Sequence, residues 1–365
     1  MLETKIKSII LKNFRNHDGI FLNLEKNCNI IGLIDVNGSG KTNILEAISL
    51  LSPGHGMRGA SLKDMVQCNS NDSFLASFNI SIGVDVSQKI DILYQNGKKK
   101  ISINDKQLSS QGDLRNILGL IWLTPEIQID ISQNNSSRRK FFDYMICNFH
   151  SNHAQLINDY DALIKERIKI LEMAKSITQN SWLDSIEKQI SILSINIICN
   201  RIDFLKQIRK NATDMNLDVE FNMECDVLNL YMENGNIADT FIAKKLLDLR
   251  NQDKHSYRTN FGCHRYKFSI IYTKKNMNIE TCSSGEKKYL ITAFLISVAQ
   301  SIIFHTKHCP IVLIDEFTSF VDENFRKILI DKLLALKCQI WLTGTEIPAL
   351  NHDIKIYSIA DILVK

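Results

Sequence analysis

The stretch from Cys28 to Leu51, C-N-I-I-G-L-I-D-V-N-G-S-G-K-T-N-I-L-E-A-I-S-L-L, constrains this chain more than any other. Ile30, Ile31, Leu33 and Ile34 make an apolar run suited to a buried strand, a glycine-containing turn follows, and Ile44, Leu45, Ile48 and Leu51 return at helical spacing. Together these signals predict a strand, a phosphate-binding loop and a helix. In such a loop Gly38 and Gly40 let backbone N–H groups approach a polyphosphate, and the helix directs its positive end at the anion. Lys41 adds a charge and Thr42 offers a hydroxyl to Mg²⁺, so the expected ligand is a nucleoside triphosphate. One position departs from the pattern G-x-x-x-x-G-K-[ST], since residue 35 is Asp rather than Gly. Asp enters positive φ more readily than most residues, so the turn is expected to form, but its carboxylate is expected to repel phosphate oxygens. A glycine there should then tighten binding. Judged alone, the stretch also suits a glycine turn opening an ordinary helix.

A chain of 365 residues, 44% hydrophobic, can make one large or two ordinary domains with a sizeable core. Net charge is only +4, from 44 basic and 40 acidic residues, so a surface for a polyanion must come from local clustering. The nine cysteines are scattered, odd in number and free of C-x-x-C pairs, which argues against a disulfide framework or zinc site and for free thiols in a reducing cytoplasm. The opening M-L-E-T-K-I-K-S-I-I-L-K-N-F has an apolar stretch too short for a signal peptide and lacks a small-residue cleavage site. The most membrane-like piece, Tyr289 to Phe304, falls short of the ~20 apolar residues a span requires and is interrupted by Thr292, Ser297, Gln300 and Ser301. It reads as a core helix, and no membrane association is expected.

Lys5 to Leu11 alternates loosely and runs into the polar corner Lys12-Asn13-Phe14-Arg15-Asn16-His17. Two readings stand for it: an edge strand with a solvated tip, or a corner from which Arg15 and Asn16 reach the nucleotide. After the phosphate helix, Ser52-Pro53-Gly54-His55-Gly56-Met57-Arg58-Gly59 is rich in breakers. Short strands with a turn at Asn96-Gly97 predict a β-subdomain at about 72–105, with Lys98 to Lys100 at its tip. A buried strand at Gly119 to Leu123 ends in Thr124-Pro125-Glu126. From Ser136 the pattern is helical, including an amphipathic run from Trp182 to Ile208. This predicts a helical arm with basic clusters at Arg138-Arg139-Lys140, at Lys165, Arg167 and Lys169, and at Lys206, Arg209 and Lys210, which suit phosphate contacts or solvated helix faces. Strand character resumes at Phe261-Gly262-Cys263-His264-Arg265 and at Lys267 to Tyr272.

Two later motifs bear on the loop. Pro310-Ile311-Val312-Leu313-Ile314-Asp315-Glu316 is an apolar strand closed by two carboxylates, as a P-loop ATPase requires: Asp315 holds Mg²⁺ and Glu316 polarises the attacking water. Before it, S-S-G-E-K-K opens a helix where Ser283, the Gly285 backbone and the helix dipole can receive a γ-phosphate presented by a second subunit. This order of motifs resembles ABC-type ATPases. The family's transporter domains place the signature much nearer the phosphate loop. A long helical insertion resembles the DNA-repair and chromosome-structure branch, although this one is far too short for the extended coiled coil of SMC proteins.

The residues resemble the RecF family of bacterial recombination mediators over nearly the whole chain. The resemblance rests on L-K-N-F-R-N-H, N-G-S-G-K-T-N-I-L-E-A-I-S-L-L-S-P-G-H-G-M-R-G-A, W-L-T-P-E, S-S-R-R-K-F-F-D, G-C-H-R, C-S-S-G-E-K-K, I-D-E and W-L-T-G-T. Asp35 and the Tyr266-Lys267 that follow His264-Arg265 depart from the family's pattern. The resemblance implies an α/β fold: an ABC-type P-loop ATPase head from 1–128 and 257–365 and a short inserted helical arm from 129–256. It implies ATP bound by Asp35, Val36, Asn37, Gly38, Ser39, Gly40, Lys41 and Thr42, with Lys41 on the β/γ-phosphates and Thr42 and Asp315 serving Mg²⁺. Glu316 would act on water, Glu126 would monitor the γ-phosphate, and Thr343 or Thr345 would lie near it. Ser283 and Gly285 would complete the opposite subunit's site, with Asp322 at the dimer seam. The implied activity is a slow ATPase gating a homodimer on single-stranded or gapped DNA, working in the cytoplasm with RecO and RecR to place RecA in repair, replication restart and SOS induction. Two other readings are a DNA-binding scaffold with a vestigial ATPase and the ATPase subunit of a transporter.

Overall fold

A computed structural model describes the chain except residues 1, 25–27, 55, 69, 71, 84–85, 109–110, 174–176, 236–237, 318–322, 347–351 and 365. Packing divides it into two compact units, Met1–Asp130 with Ser283–Lys365, and Ile131–Cys282.

The first unit holds two sheets. One is antiparallel, in the order β2–β1–β4–β5–β6–β7, from β1 (Thr4–Phe14), β2 (His17–Asn23), β4 (Ser73–Ile82), β5 (Val86–Gln95), β6 (Lys98–Ile103) and β7 (Lys106–Gln107). β1 is therefore an interior strand and not the edge strand of one of its two readings; β2 takes the edge. Ile9, Leu11, Phe14, Phe74, Phe78, Ile90 and Ile92 put one face of this sheet into the core. Each such side chain contributes about 1.5–3 kcal/mol on burial. Phe14 meets Phe74 edge-on at 5.1 Å between ring centres.

The second sheet is parallel, in the order β14–β3–β13–β12–β8. It is built from β3 (Ile30–Ile34), β8 (Leu120–Leu123) and, after β9 (Val219–Glu224), β10 (Lys267–Tyr272) and β11 (Met277–Asn278) of the other unit, β12 (Ile311–Ile314), β13 (Gln339–Gly344) and β14 (Ile354–Ser358). β8, β12 and β13 are buried along their whole length, as continuous apolar runs in parallel sheets are. Gln339 joins the two sheets: its amide accepts from Ile6 N–H at 2.8 Å and donates to Ile6 C=O at 3.0 Å.

The phosphate-loop helix is α1 (Lys41–Ser49). The apolar segment near residue 290 lies in α9 (Ser284–Thr306), long and apolar enough to cross a membrane by length and composition but mostly buried. A helix apolar on every side belongs in a core. Its interrupting serines are accommodated because Ser297 and Ser301 donate to the carbonyls of Ala293 and Ser297, each at 2.8 Å.

Among the described residues, the second unit contains α3 (Asn135–Ile146), α4 (His153–Met173), α5 (Ile177–Asp214) and three shorter α-helices, with a three-stranded sheet ordered β11–β10–β9. Because β10 pairs with β9, residues 257–282 pack with the inserted unit rather than with the head. Phe261 to Arg265 forms a turn, not the expected strand. Several predicted surface cations are internal. Arg138 donates to Phe268 C=O and Ile131 C=O and pairs with Glu280. Arg167 is fully buried against Glu187, Asp253, Thr259 and Leu246 C=O. Arg209, by contrast, is exposed, although it donates to Phe221 C=O. The exposed cations of these clusters include Lys140, Lys165, Lys169, Lys206 and Lys210. Among the described residues the nine cysteines form no disulfide, and no metal-holding cluster occurs.

Candidate nucleotide-binding site

All five strands of the parallel sheet end at one edge, where such sheets bind ligands. The register opposes Gly344 to Ile34 and Leu342 to Ile314, so Asp35, Asp315, Thr343 and Thr345 emerge side by side. At this edge lies a cleft of about 420 Å³ lined by Asn37, Gly38, Gly40, Lys41, Thr42, Asn43, Arg58, Glu316, Thr343, Gly344 and Thr345, but not by Asp35 or Asp315.

The loop's left-handed positions are Gly38 (φ 83°) and Gly40 (φ 99°). Asp35 is not among the described residues with positive φ, so the conformational reason for tolerating Asp there does not apply. A Cβ on Gly40 would stand 2.3 Å from His17 Nε2 and 2.6 Å from Asn16 Oδ1. Glycine is required because the F-R-N-H corner presses against the loop from behind. His17 lies 3.1 Å from Gly40 C=O through Nε2, which donates, and burial lowers its pKa. Asn16 accepts from Asn43 at 2.7 Å, and Arg15 grips buried Glu46 with bonds of 2.8 and 2.6 Å. Arg15 and Asn16 thus brace the loop and α1 and do not line the cleft.

Lys41 sends its ammonium to Asp35 C=O at 2.6 Å and Val36 C=O at 2.7 Å. Asp315, buried at the end of β12, accepts two hydroxyl protons at one oxygen, Oδ1: from Thr42 at 2.9 Å and from Thr343 at 2.6 Å. Thr343 Oγ1 also accepts from Glu316 N–H at 2.9 Å. Glu316 holds φ 50°, a left-handed value uncommon outside glycine, and its carboxylate is exposed beside the cleft. The set of oxygens from Thr42 and Asp315 suits Mg²⁺, which takes hard oxygen donors and keeps several waters.

Ser283 caps α9 in a capping box with Glu286, and Ser283 and Ser284 are exposed, with Gly285 partly so. The start of α9 therefore lies at the surface, with the Glu286 N–H taken by the Ser283 hydroxyl. Glu126 is exposed in the first turn of the helix Pro125–Gln133, directly after β8, and does not line the cleft. Val36 is exposed on the loop and Ser39 partly so, both outside the lining. Asp322 lies outside the described residues. Arg58 was missed as a site residue: it donates to Asn43 at 3.0 Å and approaches Glu46 at 3.7 Å while lining the cleft. Its only signal was a place within the run that follows the phosphate helix.

A family model described as the RecF/RecN/SMC N terminal domain matches residues 5–360. The DNA replication and repair protein RecF of Rickettsia typhi (strain ATCC VR-144 / Wilmington) is 33% identical over 359 residues, covering 95% of this chain and 96% of the relative. Its counterpart in Rickettsia bellii (strain RML369-C) is 33% identical over 354 residues, with the same coverage. Among solved structures, the recombination mediator protein RecF-ATPrS in the RecFOR pathway superposes with a TM-score of 0.84 at 23% identity, covering 97% of this chain and 96% of that one. The last is a likeness of fold, and the first three are likenesses of sequence along nearly all of the chain; by them, this chain belongs to the RecF family.

Proposed function

We propose that the chain is an ATP-dependent DNA clamp of the RecF type, a slow ATPase whose nucleotide closes a homodimer. The observation that carries the reading is the single oxygen of Asp315 on which Thr42 and Thr343 converge beside the loop-lined cleft. ATP occupies the loop from Asp35 to Thr42, with its phosphates on the N–H groups at the start of α1. Lys41 exchanges its two carbonyl partners for β- and γ-phosphate oxygens. Thr42 and Asp315 hold Mg²⁺, which when bound neutralises charge on the triphosphate. Glu316 orients the attacking water and accepts its proton. Thr343 fixes the backbone from which that carboxylate projects, and Thr345 borders the γ-phosphate.

A second copy supplies the other half. The exposed start of α9, with the Ser283 hydroxyl and the Gly285 N–H, receives the γ-phosphate held by its mate, so ATP joins the subunits and hydrolysis releases them. Glu126 follows β8, which neighbours the Asp315 strand, and is suited to respond to the γ-phosphate. Lysines 140, 165, 169, 206 and 210 contact DNA phosphates. Family membership supports work on single-stranded or gapped DNA with RecO and RecR, placing RecA during repair, replication restart and the SOS response in the cytoplasm.

The test measures dimerisation and DNA binding together with ATP, ADP and no nucleotide. ATP alone should give dimers that hold DNA. Lys41→Ala should lose a charge-assisted contact worth about 1.5–3 kcal/mol, weakening ATP binding about 10- to 100-fold and abolishing ATP-dependent dimers while leaving the monomer folded. Nucleotide-dependent dimers that persist in this variant would sink the clamp, and DNA binding indifferent to nucleotide would favour a scaffold with a vestigial ATPase.

A further inference from the structure

Asp35 stands where the phosphate-loop pattern has glycine, and its carboxylate has a defined destination. Oδ1 accepts from the N–H of Val36 at 2.7 Å. Oδ2 accepts from the Ser358 hydroxyl at 3.2 Å and from the Ile359 N–H at 3.1 Å. Ser358 Oγ in turn accepts from Ala360 N–H at 3.2 Å, so one chain of hydrogen bonds runs from the segment after β14 into the loop. The register makes this possible: β14 lies beside β3 with Ser358 opposite Ile34, so the first residue beyond β3 meets the last of β14. Asp35 is absent from the cleft lining, which begins at Asn37. The Val36 N–H, against the opposing effect of burial, and then Ser358, Ile359 and Lys41 hold the Asp35 carboxyl below its usual pKa, so it stays ionised.

We infer that Asp35 is a positioning residue for the nucleotide loop, its carboxylate fastening the loop to the end of β14 instead of facing the phosphates. The inference rests on the nucleotide reading of the cleft and deepens it. A conventional glycine gains freedom at this position and no anchor. Here the loop's first residue is held by the closing strand through its side chain while its carbonyl receives Lys41. A loop fixed before the ligand arrives loses less conformational entropy on binding. The sequence expectation that glycine at 35 would tighten binding is therefore reversed: removing the carboxylate releases the loop from β14, and affinity falls.

The experiment uses the full chain as wild type, Asp35→Gly, Asp35→Asn and Ser358→Ala. Two quantities are read: ATP affinity by titration, and amide hydrogen exchange of residues 35–40 and 356–360 in the nucleotide-free protein. Asp35→Gly and Ser358→Ala should both speed exchange in both segments and weaken ATP binding by about three- to tenfold, the worth of a lost hydrogen bond. Asp35→Asn, which keeps an acceptor for Val36, should fall between these variants and wild type. Melting curves establish that each variant folds, and Ser358→Ala, outside the loop, guards against a defect caused by the loop residue itself. Tighter ATP binding by Asp35→Gly, or exchange at 356–360 untouched by it, overturns the inference. If wild type fails to bind ATP, the nucleotide reading falls, while the exchange rates still decide whether Asp35 holds the loop to β14.

Discussion

Thr343 connects both residues of the Asp-Glu pair, through its hydroxyl proton to the Asp315 carboxylate and through its oxygen to the backbone N–H of Glu316. The bond from its backbone N–H ties Glu316, whose φ is left-handed, to Thr343, so the position of the candidate base depends on a residue in another strand. Glu316→Gln keeps the shape and removes the proton acceptor. Single-turnover hydrolysis should slow by about 10²- to 10⁴-fold while ATP-held dimers survive, and a variant hydrolysing at the wild-type rate would remove Glu316 from the chemistry. The residues of the phosphate loop were legible because G-S-G-K-T is a local pattern whose chemistry needs those types at that spacing. Arg15 and Asn16 were legible only as polar residues near the loop. The turn that aims them, with Asn13 at φ 53° and Arg15 at φ 57°, directs them onto Glu46 and Asn43.

Elements read well where one periodicity dominated. The apolar run at the end of α9 reads as a buried helix from composition, and the strand before Asp315 reads as a buried strand for the same reason. The turn carrying G-C-H-R was read as a strand because its apolar and aromatic residues imitate one. Gly262, at φ 148°, lets Tyr160 approach so closely that a Cβ would lie 2.2 Å from its hydroxyl. His264 donates from Nε2 to Thr259 C=O at 3.1 Å, which leaves Nδ1 to accept the Tyr160 proton at 2.7 Å. Burial, against the opposing effect of Thr259, lowers the His264 pKa below its usual 6.5. A depressed folded pKa means the unfolded chain takes up the proton first, so stability is fully present above about 6.5 and is lost as pH falls through the lowered value. Thermal midpoints should drop between pH 7 and 5, and His264→Asn should flatten part of that slope; an identical slope in the variant would contradict the arrangement. Asp143 acts at lower pH: burial alone would raise it, but Arg201 and His153 hold it at about 2, so its contribution fails only as pH falls below the usual 3.8.

At the scale of the molecule, the chain leaves one unit at Asp130 and returns at Ser283, so the halves of the parallel sheet come from both ends of the sequence. If the exposed lysines of the inserted unit meet DNA phosphates, log affinity should fall linearly with log salt, with a slope of about −0.7 per phosphate neutralised on a single strand. A flat plot would take DNA out of the account. By itself the sequence determined what is written in neighbouring residues: the phosphate loop, the buried strand ending in two carboxylates, the apolar helix with its serine cap and the helical insertion. Only the tertiary structure decided that β13 runs between β3 and β12, that Thr42 and Thr343 share one oxygen of Asp315, and that the Asp35 carboxylate meets Ser358. The reason is physical: spacing along the chain sets local conformation, whereas the partners of Asp315 and Asp35 are chosen by strand order and register, which depend on pairings between distant segments.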